Sequence, residues 1–332
     1  MTYQPSIRDS VERRIDAGSV AAAIKGRGTA LEMAGRFEAL QREPVDDGWQ
    51  PLDPEDESAH RPGVQTRVLL ERARTIITRN KSPDVFFNLS INPYRGCEHG
   101  CIYCYARPNH GYVGFSPGLD FETRLFAKVN APELFAAEIG SAGYQCEPIN
   151  IGAVTDPYQP IERQFRITRQ LLEVALEHRQ PVTLITKGSL VERDLDLLAE
   201  LSVRQLVSVV VTVTTLEAEL ARKLEPRASA PWRRMETIRR LANAGVPVGV
   251  SIGPIIPFIN DHELESVLKA AREAGAKGAH YTLIRLPLEV NPLFEQWLQA
   301  HYPDRASRVM HRIQDMRNGR NYDPRFFSRM KG

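Results

Sequence analysis

Three of the chain's four cysteines, Cys97, Cys101 and Cys104, fall within the twelve residues RGCEHGCIYCYA. This C-x3-C-x2-C run packs three soft donors closely. Four cysteines in a chain of 332 residues cannot form a disulfide framework, and three so close together have no sensible pairing. In a reducing compartment such clustering means metal or redox chemistry. Structural zinc usually takes two well-separated ligand pairs and reaches four ligands. Here one cluster supplies three thiolates, and a fourth would have to be His99, His110 or Cys146. A [4Fe–4S] cluster normally takes four thiolates. Three leave one iron with an open position, where a substrate or cosubstrate can bind. Gly96 and Gly100 let the backbone fold tightly around such a group, and Glu98, His99 and Gly100 describe a polar loop.

The elements that must position this loop are visible from residue 86 onward. Short β-branched runs (VFFNLSI, PINIGAV, VTLIT, LVSVVVTV, VPVGVSI, AHYTLIR) alternate with helical patterns such as RITRQLLEVALEHR, ERDLDLLAELS, WRRMETIRRLANAG and DHELESVLKAAREAG. Strand then helix, repeated about six times, predicts a parallel sheet with helices outside, in an open or closed barrel. The cysteine loop follows the first of these strands, so it lies at the C-terminal edge of the sheet, where α/β barrels place their chemistry.

The flanks differ in character. Residues 1–80 read as an N-terminal arm with an acidic linker, EPVDDGWQPLDPEDES, which carries acids only and three prolines. Residues 81–290 form the barrel core. Residues 291–332 are a basic C-terminal extension, whose last thirty residues hold eight Lys/Arg against three Asp, with Tyr322, Phe326 and Phe327 interleaved. That composition suits either a solvated helix plus coil or contact with a nucleic acid backbone and bases. No window approaches the ~20 apolar residues of a membrane helix. The N-terminus MTYQPSIRDSVERR also has charge where a signal peptide needs an apolar region, so a cytoplasmic location is expected.

The C-x3-C-x-Φ-C run, with Tyr103 as the aromatic, resembles the signature of the radical S-adenosylmethionine (radical SAM) superfamily. The stretches NPYRGCEHGCIYCYAR, GAVTDPYQPIE, ITKGSLVERDLDLLAEL, VTVTTLEAELARKLEPRA and GVSIGPIIPFIND are similar to its spore-photoproduct-lyase-like branch, also called DNA-repair-photolyase-like. The match covers roughly residues 85–285. KGRG…GRFE and NGRNYDPRF resemble accessory segments of a bacterial subgroup of that branch. The resemblance implies an α/β fold, a partial (β/α)6 TIM-like barrel with parallel strands. It also implies two cofactors, a [4Fe–4S] cluster held by Cys97, Cys101 and Cys104, and S-adenosyl-L-methionine (SAM), cleaved reductively to a 5′-deoxyadenosyl radical that abstracts hydrogen. A reductant such as flavodoxin or ferredoxin is implied as partner.

By the same resemblance Tyr103 would lie by the adenine, and Lys187, directly after the third strand, would meet the SAM carboxylate or else solvate a loop. Thr155 and Asp156, at the end of the second strand, would approach the SAM amine or cap a turn. Thr212 would face the ribose or serve as an ordinary β-former. Ile255 and Ile256 would pack on the adenine or in the core. Glu162 and the Glu225–Arg227 triplet fall just after strands, where surface ion pairing is the ordinary reading. Spore photoproduct lyases carry a hydrogen-donating cysteine at the end of the second strand. Here Ala153 or Val154 stands there, which argues against thymine-dimer repair by that route. Cys146 is expected to be a buried structural residue. Three functions remain open: a radical SAM enzyme acting on a large substrate such as nucleic acid, one acting on a protein or peptide, and a non-catalytic iron–sulfur redox-sensing or binding module.

Overall fold

The computed structural model describes residues 24–29, 31, 33, 35–37 and 64–331. The acidic linker, residues 43–58, lies outside the described residues. Among the described residues there are ten strands: β1 (Arg67–Glu71), β2 (Ile77–Arg79), β3 (Leu89–Ile91), β4 (Tyr94–Arg95), β5 (Arg124–Lys128), β6 (Ile149–Ile151), β7 (Val182–Thr186), β8 (Val207–Thr212), β9 (Val248–Ile255) and β10 (Gly278–Leu283).

Six of them realise the expected repeat. β3, β6, β7, β8, β9 and β10 lie side by side in chain order, each parallel to its neighbour. The crossovers are helical: α1 (Ala131–Ile139) before β6, α2 (Ile167–Glu177) before β7, and α3 (Leu195–Val203) before β8. α4 (Ala218–Leu224) and α5 (Pro231–Asn243) precede β9, and α6 (Leu264–Glu273) precedes β10. This is the partial TIM-like barrel, with its ladder running from β10 at one edge to β2 at the other. β3 and β6 are buried throughout and β9 almost so, which explains their mainly apolar, β-branched composition, with Ser90, Asn150 and Ser251 as buried polar members. β10, an edge, keeps its first four residues exposed.

β2 pairs antiparallel with β3, and a separate sheet of order β1-β5-β4 joins the residues before the barrel to those after the cysteine loop. Residues 67–79 are thereby tied into the body. Among the described residues no helix is long and apolar enough to cross a membrane.

Two expectations need correction. The C-terminal extension is not a solvated helix plus coil. α7 (Val290–His301) and α8 (Pro303–Asp315) bury Leu293, Phe294, Trp297, Val309 and Ile313 in a second core with Cys101, Ile102, Tyr103, Leu224 and Ile284. Ala306, Val309 and Ile313 form a buried stripe at helical spacing among arginines, so the helix is amphipathic. A short helix, α9 (Ser328–Lys331), then packs on β10. Cys146 is exposed rather than buried, because the loop before β6 runs over the surface, where polar backbone can meet water.

Candidate functional site

The cysteine loop leaves β3 at the C-terminal edge of the sheet. Gly96 and Gly100 both take left-handed backbone, with φ of 72° and 69°, so each bend favours glycine. A Cβ on Gly96 would lie 2.7 Å from Leu125 Cδ2, and one on Gly100 2.7 Å from Glu122 Oε2. The loop is thus wrapped closely from outside. Main-chain bonds fix it: Cys97 N–H donates to Phe121 O at 2.9 Å, Ile102 N–H to Leu224 O at 3.1 Å and Cys104 N–H to Cys101 O at 3.2 Å.

All three cysteines are free thiols; Cys97 and Cys101 are buried and Cys104 is half-buried. Burial pushes the Cys97 thiol well up and the Cys101 thiol up to about 12, against the pull of Lys187. Unligated, the buried thiols of Cys97 and Cys101 keep their protons, which a bound metal must displace. Cys146 precedes β6, at the opposite edge of the parallel sheet, so it does not reach the loop. The donor set therefore fits a cluster with three thiolates and one open position.

Lys187 follows β7, with Nζ 5.7 Å from the centroid of the Tyr103 ring. No carboxylate lies within salt-bridge distance of it among the described residues, although Cys101 and Glu225 raise its pKa against burial. It is a half-buried cation, and no ion pair among the described residues consumes its charge. The Thr212 hydroxyl likewise has no hydrogen-bond partner among the described residues.

Thr155 and Asp156 are engaged with the chain itself. Thr155 Oγ1 donates to Gly96 O at 2.7 Å, and Gln159 Nε2 donates to Thr155 Oγ1 at 3.0 Å. Asp156 Oδ1 accepts from Thr186 Oγ1 at 2.6 Å and Tyr158 N–H at 2.9 Å, and Oδ2 accepts from Lys187 N–H at 2.7 Å. His99 Nδ1 stands 3.3 Å from Oδ2. Burial would raise the Asp156 carboxyl, but His99 and these donors hold it at about 2. The pair thus locks the β6 loop to both the cysteine loop and the end of β7.

Tyr103 is buried, and its hydroxyl donates to Glu225, which also accepts from Thr214 Oγ1 at 2.6 Å and pairs with Arg234. Against burial, Arg234, Lys187 and Thr214 hold the Glu225 carboxyl at about 2. Ile255 joins the main core, and Ile256 the second. Tyr105 donates to Ala153 O, in the loop that follows β6.

Several supporting residues have weak sequence signals. Buried Arg107 sends Nε to Cys101 O at 2.9 Å and Nη2 to Gly100 O at 3.3 Å, while pairing with buried Glu122. Arg227 Nη2 meets Glu98 Oε1 at 2.7 Å, and its N–H donates to His99 O at 3.2 Å. Arg234 did leave a trace: it occupies the same helical stripe as the buried Ile238 and Leu241, and a charge in an apolar stripe demands a buried partner. Glu122 and Arg107 left none.

Known proteins resemble this chain in sequence and in fold. The model of the Radical SAM superfamily matches residues 91–271. An uncharacterised protein of Mycobacterium tuberculosis is 32% identical over 234 residues, 69% of each chain. One of Methanocaldococcus jannaschii is 29% identical over 242 residues, 71% of this chain and 84% of the relative. Among solved structures, spore photoproduct lyase complexed with dinucleoside spore photoproduct superposes with a TM-score of 0.53 at 18% identity, over 71% of this chain. The matched region spans 66% of that lyase's length, just under two thirds.

Proposed function

Because the chain belongs to the radical SAM superfamily, whose members use a [4Fe–4S] cluster and SAM, we propose that it is an enzyme acting on a large anionic substrate, nucleic acid foremost. Cys97, Cys101 and Cys104 would hold the cluster. The observation that carries this reading is the loop itself: three free thiols on two left-handed glycines, at the C-terminal edge of six parallel strands, beside an available lysine. When bound, the cluster and SAM supply the electron transfer and carbon–sulfur cleavage that yield a hydrogen-abstracting 5′-deoxyadenosyl radical.

The chain's own residues then divide the remaining work. Lys187 Nζ neutralises the carboxylate of SAM, an ammonium-to-carboxylate bond strengthened by half-burial. Thr212 offers its hydroxyl to the ribose. Thr155 and Asp156 are positioning residues, holding the loop rather than the cosubstrate, since their oxygens are already engaged. Tyr103 walls the site, and the second core behind it excludes water.

Arg285 supports an anionic substrate. It stands just after β10, its guanidinium carbon 5.2 Å from the centroid of the Tyr105 ring, and its buried Nε has no hydrogen-bond partner. Lys187 lies near Tyr103 and Arg285 near Tyr105, the two tyrosines that flank Cys104 in the chain, so two cations accompany the cysteine loop. The comparison structure, a lyase with a dinucleoside photoproduct, lends the nucleic-acid reading further support. The missing thiol at Ala153 and Val154 separates the proposed chemistry from thymine-dimer repair that uses a cysteine there.

Two assays test it. Anaerobically reconstituted chain with dithionite should convert SAM to 5′-deoxyadenosine, and Cys101→Ala should not. Single-stranded oligonucleotide should bind with an affinity that falls steeply as salt rises. No SAM cleavage sinks the enzyme reading, and no oligonucleotide binding sinks the nucleic-acid reading.

A further inference from the structure

The segment Lys25–Thr29 belongs to the arm, well before the stretch matched by the superfamily model, yet it lies against the back of the cysteine loop. Gly28 N–H donates to Glu122 Oε2 at 2.9 Å. A Cβ on Gly28 would fall 1.8 Å from Gly100 O, far inside contact distance and against backbone rather than a movable side chain. Gly100 is the residue between the Cys97 and Cys101 turns, and its carbonyl also accepts from Arg107. A side chain at position 28 must therefore displace either the segment or the turn between two thiol ligands.

Arg27 adds a second, independent tie. Its side chain is buried at 8% exposure. Nη1 donates to Glu122 O at 3.0 Å, and Nη2 donates to Val64 O at 2.6 Å and Thr66 Oγ1 at 3.1 Å. Thr66 Oγ1 passes the connection on to Glu98 Oε1 at 2.7 Å, next to Cys97. Leu31 O accepts from Leu119 N–H at 3.0 Å, so the next residues are pinned to the outer wall as well.

We propose that Lys25–Thr29 is a working part of the cluster site: Gly28 braces the Gly100 turn from behind, and Arg27 places a buried positive charge beside the loop. The proposal rests on the cluster reading given above. Its physical content is that partners one layer behind metal ligands set both retention and electronics of the metal. A buried cation near the cluster favours its more negative, reduced form, so removing the cation makes reduction harder.

The test uses full-length chain, reconstituted anaerobically, as wild type, Gly28→Ala, Arg27→Met and Arg27→Lys. Iron and sulfide per chain, iron loss to a chelator and the midpoint potential are measured, and thermal unfolding of unloaded chain controls for folding. Gly28→Ala should lose iron roughly ten- to a hundredfold faster. Arg27→Met should shift the potential to more negative values, and Arg27→Lys should return it toward wild type, which a purely structural role would not do. Wild-type iron retention in Gly28→Ala, or an unshifted potential in Arg27→Met, overturns the proposal. Failure of the wild-type chain itself to take up iron would instead overturn the cluster reading.

Discussion

Glu225 accepts hydrogen bonds from Tyr103 and Thr214 and is paired with Arg234, all four groups being buried. Such a pair contributes little net stability when whole but costs much when halved, because the surviving charge keeps its desolvation penalty. Glu225→Ala should therefore destabilise the chain by about 3–5 kcal/mol in urea unfolding, while Glu225→Gln with Arg234→Met together should recover a large part of that loss. Lys187 makes the opposite case, a cation with no carboxylate within salt-bridge distance among the described residues. Lys187→Met should leave folding near wild type and weaken SAM roughly tenfold or more in equilibrium binding to loaded protein, since a charged hydrogen bond is worth about 1.5–3 kcal/mol. At this scale the sequence was informative where spacing carried the message, as in Cys97, Cys101 and Cys104. It was silent where partners are brought together only by the fold. Glu122 meets Gly28 across 94 positions and Arg227 meets Glu98 across 129, and no local pattern marks either.

The short turn of 3-10 helix over Arg107–Val113 carries His110 into an aromatic nest of Phe115, Phe121 and Phe126. Burial pulls its pKa down to about 4, and Nε2 has no hydrogen-bond partner. A histidine depressed in this way is stabilising above its unfolded value and loses that contribution as pH falls toward the folded one. Unfolding free energy should thus decline between about pH 6.5 and 4, by up to about 3 kcal/mol from this group. His110→Phe should flatten that part of the pH profile in chemical denaturation. The six barrel strands were legible because each is a short run rich in β-branched or aromatic residues set between helical patterns, whether buried throughout like β3 and β6 or largely exposed like the edge strand β10. The β1-β5-β4 sheet was not: RVLLE, YR and RLFAK mix charge with short apolar stretches. β4 has only two residues, so pairing rather than propensity defines it. α8 was misread for a related reason, since three buried positions among arginines make a narrow stripe in a segment dominated by charge.

Among the described residues, the proposed chemistry lies at one edge of a parallel sheet, and the flanking segments pack against that edge. The C-terminal helices build a core beneath the cysteine loop, and the arm contributes Arg27 and Gly28 behind it. Cys146 lies at the other edge and exposed, so Cys146→Ser should leave iron and sulfide per chain unchanged, whereas loss of any of the other three should abolish the cluster. In the proposed site three thiolates leave one iron position open for SAM. Electron paramagnetic resonance of the anaerobically reduced chain, recorded with and without SAM, tests it most directly. A reduced [4Fe–4S] signal that changes when SAM is added, and that is missing from Cys101→Ala, is the expected result. A cluster signal indifferent to saturating SAM, or no iron–sulfur signal in the loaded chain, would contradict it.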